Sequence, residues 1–180
     1  MSTALPVFRT ARLTLTPRSM ADLDACLAMD RDPEVTRFVA GPWTDPVAHR
    51  AFAIARIRHR YPPDMGYWSV FAPAGFVGWI LLAPCDLAGP EIEIGWRFVR
   101  AAWGQGYATE AARAVRDHAL GTLGLAFVVA DIDPANRASV RVAEKLGLRP
   151  AGSRPYAGRR VTRYAAGADP APARTISGAA

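Results

Sequence analysis

The stretch that decides the fold begins Ile92-Glu93-Ile94-Gly95-Trp96-Arg97-Phe98 and continues through Trp103-Gly104-Gln105-Gly106-Tyr107-Ala108-Thr109-Glu110-Ala111. In its first part apolar side chains alternate with other residues, which is the period of a strand with one buried face. Beyond Ala108 small and apolar residues recur at helical spacing, at Ala111, Ala112, Val115 and Ala119. The sequence therefore predicts a strand, a glycine-rich loop and a helix, in that order.

The loop between this strand and this helix suits an anion. Glycine at positions 104 and 106 removes the Cβ atoms that would hold a phosphate away from the backbone. The first N–H groups of a helix have no internal partner, and the helix dipole adds partial positive charge there. A two-glycine loop also suits an ordinary turn. Two other nucleotide motifs are disfavoured, because the only lysine is Lys145 and Thr109 stands where a dinucleotide fingerprint has its third glycine.

A second block follows, Asp131-Ile132-Asp133-Pro134-Ala135-Asn136-Arg137-Ala138-Ser139, and it continues to Leu148. Together the two blocks resemble the GNAT superfamily of acetyl-coenzyme A dependent N-acetyltransferases, most of all the branch that includes the ribosomal-protein-alanine N-acetyltransferases. The resemblance runs from about Arg9 to about Ala166. It implies an α/β fold of the GNAT type: a mixed, mostly antiparallel central sheet of six to seven strands flanked by about four to five helices, with a splayed central strand pair.

The resemblance assigns coenzyme A contacts to both blocks. In the family an Arg/Gln-x-x-Gly-x-Gly/Ala pattern wraps the pyrophosphate, and here it begins at Trp103. The tryptophan in place of Arg or Gln removes one polar contact but keeps the backbone cradle. The later Asn-x-x-Ser resembles the family's contact to the pantetheine arm. The implied contacts are Gly104, Gln105, Gly106, Tyr107, Ala108, Thr109, Asn136 and Ser139.

Acetyl transfer to an amine needs a proton acceptor, because an amine attacks a thioester only as the free base. Glu93 stands at the position that resembles the family's base, on the strand face opposite the apolar residues, and Glu91 shares that face. A solvated carboxylate or an arginine partner is the alternative interpretation of Glu93. We expect an apolar wall formed by Trp68 or Trp96 to raise the pKa of Glu93 toward neutrality.

Two further groups complete the implied chemistry. A backbone N–H around Phe98 or Val99 would stabilise the oxyanion, and in the family the pantetheine pairs with the freed edge of this strand. Gly95 marks either the bulge that parts the strands or a packing glycine. Many relatives place a tyrosine acid seven residues after the asparagine, but that position is Ala143 here. Ser139 then becomes the candidate proton donor to the thiolate, with helix capping as its alternative role.

Composition is consistent with one enzyme domain. The chain has 180 residues, 51% of them hydrophobic and 21% charged, enough for one full core. We found neither a run of about 18 apolar residues nor a signal region, so we expect a cytoplasmic protein that does not enter a membrane. The net charge of +6 could indicate a nucleic acid partner, but it serves an anionic cofactor and solubility equally well, and we favour the second interpretation. Monomer and homodimer both remain open.

Several potential sites are interpreted as structural. Arg154, Arg159, Arg160 and Arg163 flank a predicted hairpin at residues 157–158 without interleaved aromatics, so we expect a solvated edge and no nucleic acid partner. Cys26 and Cys85 lack metal or redox spacing and are expected to be apolar fillers. His49, His59 and His118 lie on predicted helices without metal spacing, so we expect surface or boundary residues and no metal.

The remaining pattern predicts one domain over residues 1–166 and a disordered Ala/Pro/Gly-rich tail over residues 167–180. Capping patterns predict helix starts near Ser19, Asp32 and Asp45, and an apolar run predicts a central strand over residues 127–132. The resemblance implies direct acetyl transfer from acetyl-CoA to a primary amine of a small molecule or of a protein N-terminus. A non-catalytic acyl-CoA-binding module and an enzyme that modifies charged tRNA are the alternatives.

Overall fold

The computed structural model describes residues 5–168, which form one eight-stranded sheet and five α-helices. The strands are Phe8–Arg9 (β1), Thr14–Pro17 (β2), Gly66–Ala72 (β3), Gly75–Pro84 (β4), Ile92–Phe98 (β5), Phe127–Ile132 (β6), Arg149–Tyr156 (β7) and Arg159–Gly167 (β8). The helices are Leu23–Asp30 (α1), Pro33–Thr36 (α2), Pro46–Arg58 (α3), Tyr107–Asp117 (α4) and Arg137–Lys145 (α5). The mixed α/β architecture is confirmed, but the sheet exceeds the expected six to seven strands because β1, only two residues long, carries too little periodicity to detect.

The predicted helix starts are confirmed by their capping contacts. The Ser19 hydroxyl accepts from the Ala21 N–H while Asp22 accepts from the Ser19 N–H, and this capping box opens the 3-10 turn that leads into α1. Asp32 caps α2 and Asp45 caps α3, each followed by a proline at the first helical position. These helices cover the early part of the sheet.

The sheet runs in the order β1-β2-β3-β4-β5-β6-β8-β7, and only β5 and β6 are parallel neighbours. Their ladder contains the single pair Glu93–Val129, so the two strands part beyond it, which is the expected splay. Gly95 does not cause the parting. It pairs with Leu81 in a β4–β5 ladder without a register shift, so the bulge predicted there is wrong, and a Cβ added at Gly95 would meet the Leu81 side chain at an ordinary contact distance of 3.7 Å.

One large core lies beneath the sheet and holds α4 and α5 against it. Trp68, Ile94 and Val115 are completely buried in this cluster, and Trp96 packs against it. Because residues 92, 94, 96 and 98 share one face of β5, residues 91, 93, 95 and 97 look the other way. Glu93 therefore lies on the face of this strand that is turned away from the large core, and side chains of both faces line the cleft described below.

The second half of the chain follows the predicted course. Gly147 adopts a φ of 79° and ends α5, as expected for a left-handed cap. The hairpin turn falls at Ala157 and Gly158, with φ values of 47° and 76°. β8 ends at Gly167, one residue past the predicted domain limit, and residues 169–180 of the predicted tail lie outside the described residues. Within the described part of the chain, no helix is both long and apolar enough to cross a membrane.

Candidate active site

A cleft of about 700 Å³ opens where β5 and β6 part and extends to the start of α4. It brings together most of the residues predicted for the site. Those that line it are Glu93, Phe98, Gly104, Gly106, Tyr107, Ala108, Thr109, Asn136 and Ser139. Val99 and Gln105 are not among the lining residues.

The glycine loop adopts a backbone that other residues would strain. Gly104 and Gly106 have φ values of 75° and 80°, and a Cβ added at Gly104 would meet no atom within 4 Å. A Cβ at Gly106 would lie 3.4 Å from Nη2 of Arg12. The Gln105 side chain turns back to donate to the Ala101 carbonyl at 2.8 Å, and the Gln105 carbonyl accepts from Arg12 Nη1 at 3.0 Å. The loop is thus preformed, with open space in front of its backbone.

Glu110 fixes the first turn of α4, a role that the sequence patterns did not reveal. Its carboxylate accepts from the Thr10 hydroxyl at 2.6 Å and pairs with Arg12 Nη2 at 2.7 Å. Burial raises its pKa, but the hydrogen bonds from Thr10 and Arg12 outweigh burial and leave the pKa lowered. Because Glu110 stays charged, it ties the loop before β2 to the helix that carries the glycine cradle.

The edge of β5 offers backbone donors to the gap. The Val99 N–H donates to the Val77 carbonyl at 3.0 Å, so Val99 has no free N–H for an oxyanion. Residues of an antiparallel ladder alternate in the direction of their backbone groups, so the Trp96 and Phe98 N–H groups face the gap. Trp103 donates its indole N–H to the Phe98 carbonyl at 2.9 Å. Of the two predicted donors, the geometry therefore retains Phe98.

The carboxylate of Glu93 lies in the cleft wall and makes no hydrogen bond or ion pair with any of residues 5–168. Burial, followed by the nearby carboxylates of Asp131 and Asp86, raises its pKa to about 7, against the opposing effect of Arg154 and Arg163. The apolar wall that the structure places beside Glu93 is different from the predicted one. Trp68 and Trp96 belong to the core on the other face, whereas Leu81 and Ala83 are the apolar residues on the Glu93 face.

An arginine-carboxylate cluster borders Glu93. Arg163 on β8 donates to both carboxylate oxygens of Asp131, at 2.9 and 2.8 Å, and also pairs with Glu91. Arg154 joins Asp131 to Asp86. The expectation of a solvated arginine edge is therefore wrong for these two arginines, because the side chain of Arg163 is only 11% exposed. The pairing of Glu91 also distinguishes it from Glu93, which remains unpaired.

Asn136 and Ser139 have different roles at the start of α5. The Asn136 side chain accepts from the Ser139 N–H at 3.1 Å and is therefore the helix cap. The Ser139 hydroxyl is left out of the cap and lines the cleft. Helix capping, the alternative role considered for Ser139, is therefore carried out by Asn136.

The cysteines and two of the histidines are buried. Burial raises the pKa of Cys26 to about 11 and that of Cys85 to about 12, so both remain thiols at neutral pH. His49 and His118 are 2% and 8% exposed, so the expectation of surface histidines is wrong for both. His49 contacts Asp30 at 3.4 Å, and the ring of His118 packs near Phe8. Residues 5–168 contain no cluster of three or more His, Cys, Asp or Glu that could hold a metal ion.

The end of the cleft near α1 and α3 was not predicted from sequence in any detail. Arg97 on β5 pairs with Asp30 at 2.8 Å and stacks between Trp43 and Trp79, with ring centroids 4.9 and 5.0 Å from its guanidinium carbon. Arg18, directly after β2, stacks on the ring of Tyr67 at 3.6 Å. This end combines aromatic walls with cationic groups.

Comparisons with known proteins agree with this geometry. The family model described as "Acetyltransferase (GNAT) domain" matches residues 12–149. The FsC-acetyl coenzyme A-N(2)-transacetylase of Aspergillus fumigatus is 35% identical over 154 residues, which cover 81% of this chain and 66% of that protein, somewhat under two thirds of its length.

Solved structures give the same result for the fold. An acetyltransferase from Agrobacterium tumefaciens is 30% identical, with a TM-score of 0.77 over 92% of this chain and 96% of that one. The ribosomal L7/L12 alpha-N-protein acetyltransferase RimL, solved with coenzyme A, has a TM-score of 0.75 at 17% identity, covering 91% and 99% of the two chains, and it supports the fold alone. With the family match across most of its length, the chain belongs to the GNAT acetyltransferase family.

Proposed function

We propose that this protein is an acetyl-CoA dependent N-acetyltransferase that moves an acetyl group to a primary amine by direct attack in a ternary complex. The observation that carries the proposal is Glu93, an unpaired carboxylate in the cleft whose pKa is raised to about 7. A base with a pKa near the working pH accepts a proton from an ammonium most effectively. In this protein that base lies beside the gap between β5 and β6, within the same cleft as the glycine loop.

The residues present fit coenzyme A. Open space in front of Gly104 and the left-handed backbone of Gly106 let a pyrophosphate approach the N–H groups that begin α4. Tyr107, Ala108 and Thr109 would supply these donors, and the gap beside β5 would receive the pantetheine arm. When bound, acetyl-CoA supplies the activated acetyl group as a thioester.

Each remaining group has a separate task at the reacting atoms. Glu93 takes the proton that the amine must lose, directly or through one water molecule. The Phe98 N–H, whose direction is held by the β4–β5 ladder, stabilises the negative charge that develops on the carbonyl oxygen. Ser139, whose hydroxyl is free of the helix cap, donates a proton to the departing thiolate and takes one back from the nitrogen of the tetrahedral intermediate.

A direct transfer is favoured over a covalent acyl-enzyme. Cys85 is the cysteine nearest to Glu93, and burial raises its pKa to about 12, so its thiolate is scarce at neutral pH. Cys26 is similarly protonated, with a pKa of about 11. Neither side chain offers a nucleophile that would compete with a free amine.

The acceptor is proposed to be an amine of a small molecule or of a protein N-terminus. The name of the fungal relative specifies transfer from acetyl coenzyme A to an N(2) position, which supports both the donor and the kind of acceptor. The aromatic and cationic groups around Arg18 and Arg97 leave room beside Glu93 for a substrate body.

The test combines binding and turnover. Purified protein is titrated with coenzyme A in a calorimeter and then incubated with acetyl-CoA and a panel of primary amines, with acetylated products identified by mass spectrometry. We expect binding and amine-dependent release of free thiol. Binding without any acetylated product would favour the acyl-CoA-binding module, and the absence of binding would refute the proposal entirely.

A further inference from the structure

The side chain of Arg18 is partly buried, and two of its three guanidinium nitrogens lack a hydrogen-bond partner. Its Nε and Nη2 atoms are inaccessible to solvent and donate to no group among residues 5–168. Its guanidinium lies 3.6 Å from the centroid of the Tyr67 ring and 6.0 Å from that of Trp79. Stacking on aromatic rings offsets part of the cost of removing this charge from water, but unmade hydrogen bonds to a charged group remain costly.

The neighbours of Arg18 do not neutralise it. Burial raises the pKa of Cys26 to about 11 and also raises that of Tyr67, so both are uncharged at neutral pH. The carboxylate of Asp30, which lines the same cleft, is already engaged by Arg97 at 2.8 Å and by His49 at 3.4 Å. A free positive charge is therefore held at this end of the cleft.

A smaller cavity of about 200 Å³ opens on the other side of Arg18. Arg18, Arg56 and Tyr67 line both this cavity and the main cleft, and His59 and Tyr61 complete its polar wall. Its lining in the described residues contains arginines and a histidine but no aspartate or glutamate. A space of this size and charge suits a small anionic group.

The sheet aligns this cavity with Glu93. The Arg18 N–H donates to the Tyr67 carbonyl at 2.9 Å, Tyr67 pairs with Leu81, and Leu81 pairs with Gly95, so the four residues form one row across the sheet. The Glu93 carboxylate leans into this row, since its Oε1 lies 3.9 Å from where a Cβ of Gly95 would stand. Gly95 has no side chain, so the row is open between the base and the aromatic wall.

We propose that the acceptor of this enzyme is a primary amine that also carries a carboxylate, and that Arg18, assisted by Arg56, binds that carboxylate while the amine lies at Glu93. The inference rests on the proposed acetyl transfer and adds the substrate class to it. Tyr67 and Trp79 contact the body of the acceptor. The Tyr67 and Glu93 strands are two strand spacings apart, about 10 Å. A hydrogen bond of about 3 Å at each end leaves roughly 4 Å between amine and carboxylate, the length of a short spacer or a ring.

The test uses two acceptors of the same shape, β-alanine and its neutral amide, β-alaninamide, whose two methylene carbons match this spacing. The wild-type protein should show a kcat/KM for β-alanine about tenfold or more above that for β-alaninamide, as expected for a charge-assisted hydrogen bond. In Arg18→Met that ratio should fall about tenfold, mainly through KM. Arg58→Met is the matched control, because Arg58 is an exposed arginine that lines neither cavity, and it should keep the wild-type ratio.

The outcomes separate this inference from the proposed function. Acetylation of both probes with equal efficiency, or an unchanged ratio in Arg18→Met, would overturn the carboxylate site and leave the transferase intact. If neither probe is acetylated, calorimetric titration of β-alanine into the coenzyme A-bound protein decides: binding that Arg18→Met abolishes supports the site, and no preference over β-alaninamide overturns it. Arg56→Met, measured in the same way, provides a second variant should Arg18→Met fail to fold.

Discussion

Replacing Glu93 with glutamine should slow the reaction and stabilise the protein at the same time. The shift in the pKa of Glu93 from 4.5 to about 7 corresponds to about 3 kcal/mol, at about 1.4 kcal/mol per pH unit. The sign follows from proton binding. Below pH 4.5 both folded and unfolded states hold the proton, whereas above pH 7 both have lost it and the folded state contains a buried charge that costs this free energy.

Glutamine keeps the shape of the side chain without the charge, so Glu93→Gln should equal the wild type in free energy of unfolding near pH 4 and exceed it by up to about 3 kcal/mol at pH 8. Urea unfolding at the two pH values measures this difference. Over the same range kcat/KM of the wild type should rise about tenfold per pH unit below 7 and level off above it. The variant should lose this dependence, together with about a hundredfold or more of the rate at pH 8.

Glu91→Gln is the matched control, because Glu91 precedes the same strand but pairs with Arg163. It should keep the pH dependence of the rate and should not gain stability at high pH. A Glu93→Gln variant that retained the wild-type pH profile would refute the assignment of the base. A variant with no added stability at pH 8 would show that the Glu93 carboxylate is not held in a desolvated place.

Four further substitutions test the rest of the site. Gly106→Ala, strained at a φ of 80°, should weaken coenzyme A binding about tenfold by calorimetry and lower stability by about 1 kcal/mol. Gly121→Ala, where a Cβ meets open space within a helical segment, should leave binding unchanged and should not lower stability, because alanine is the better helix former. Arg163→Met should leave Glu91 without its partner and Asp131 paired with Arg154 alone, and should lower the free energy of unfolding by about 3 kcal/mol. It should also shift the rise of the rate to higher pH, because this arginine lowers the pKa of the base. Asn136→Ala should lower stability by about 1 kcal/mol, because the helix loses its cap. Ser139→Ala should lower kcat and leave stability unchanged in a thermal melt. Lost stability in Ser139→Ala together with unchanged stability in Asn136→Ala would reject both roles.

The sequence predicted the parts of the structure that depend on local patterns. The central strand over residues 127–132 and the caps at Asp32 and Asp45 follow from hydrophobic periodicity and from side chains that bond to nearby backbone. The glycine loop was found because its spacing and its resemblance to the family agree. In each case the deciding contacts lie within a few residues of one another.

What the sequence did not predict depends on contacts between distant strands. The pairing of Arg163 with Asp131 joins β8 to β6, and the role of Glu110 depends on Thr10, which lies 100 residues away in the chain. Periodicity assigns each residue to a face, but it does not show which charges on that face meet. For the same reason Trp68 was expected beside Glu93, although the register places it on the opposite side of the sheet.

The single pair of residues that joins β5 to β6 has a consequence for hydrogen exchange. Along β5 the amides of Arg97 and Val99 are held by β4, whereas those of Trp96 and Phe98 point into the gap. Deuterium uptake along this short segment should therefore alternate between slow and fast residues. A molecule that filled the gap would slow the fast positions alone, so two amides would report its arrival without any label or any turnover.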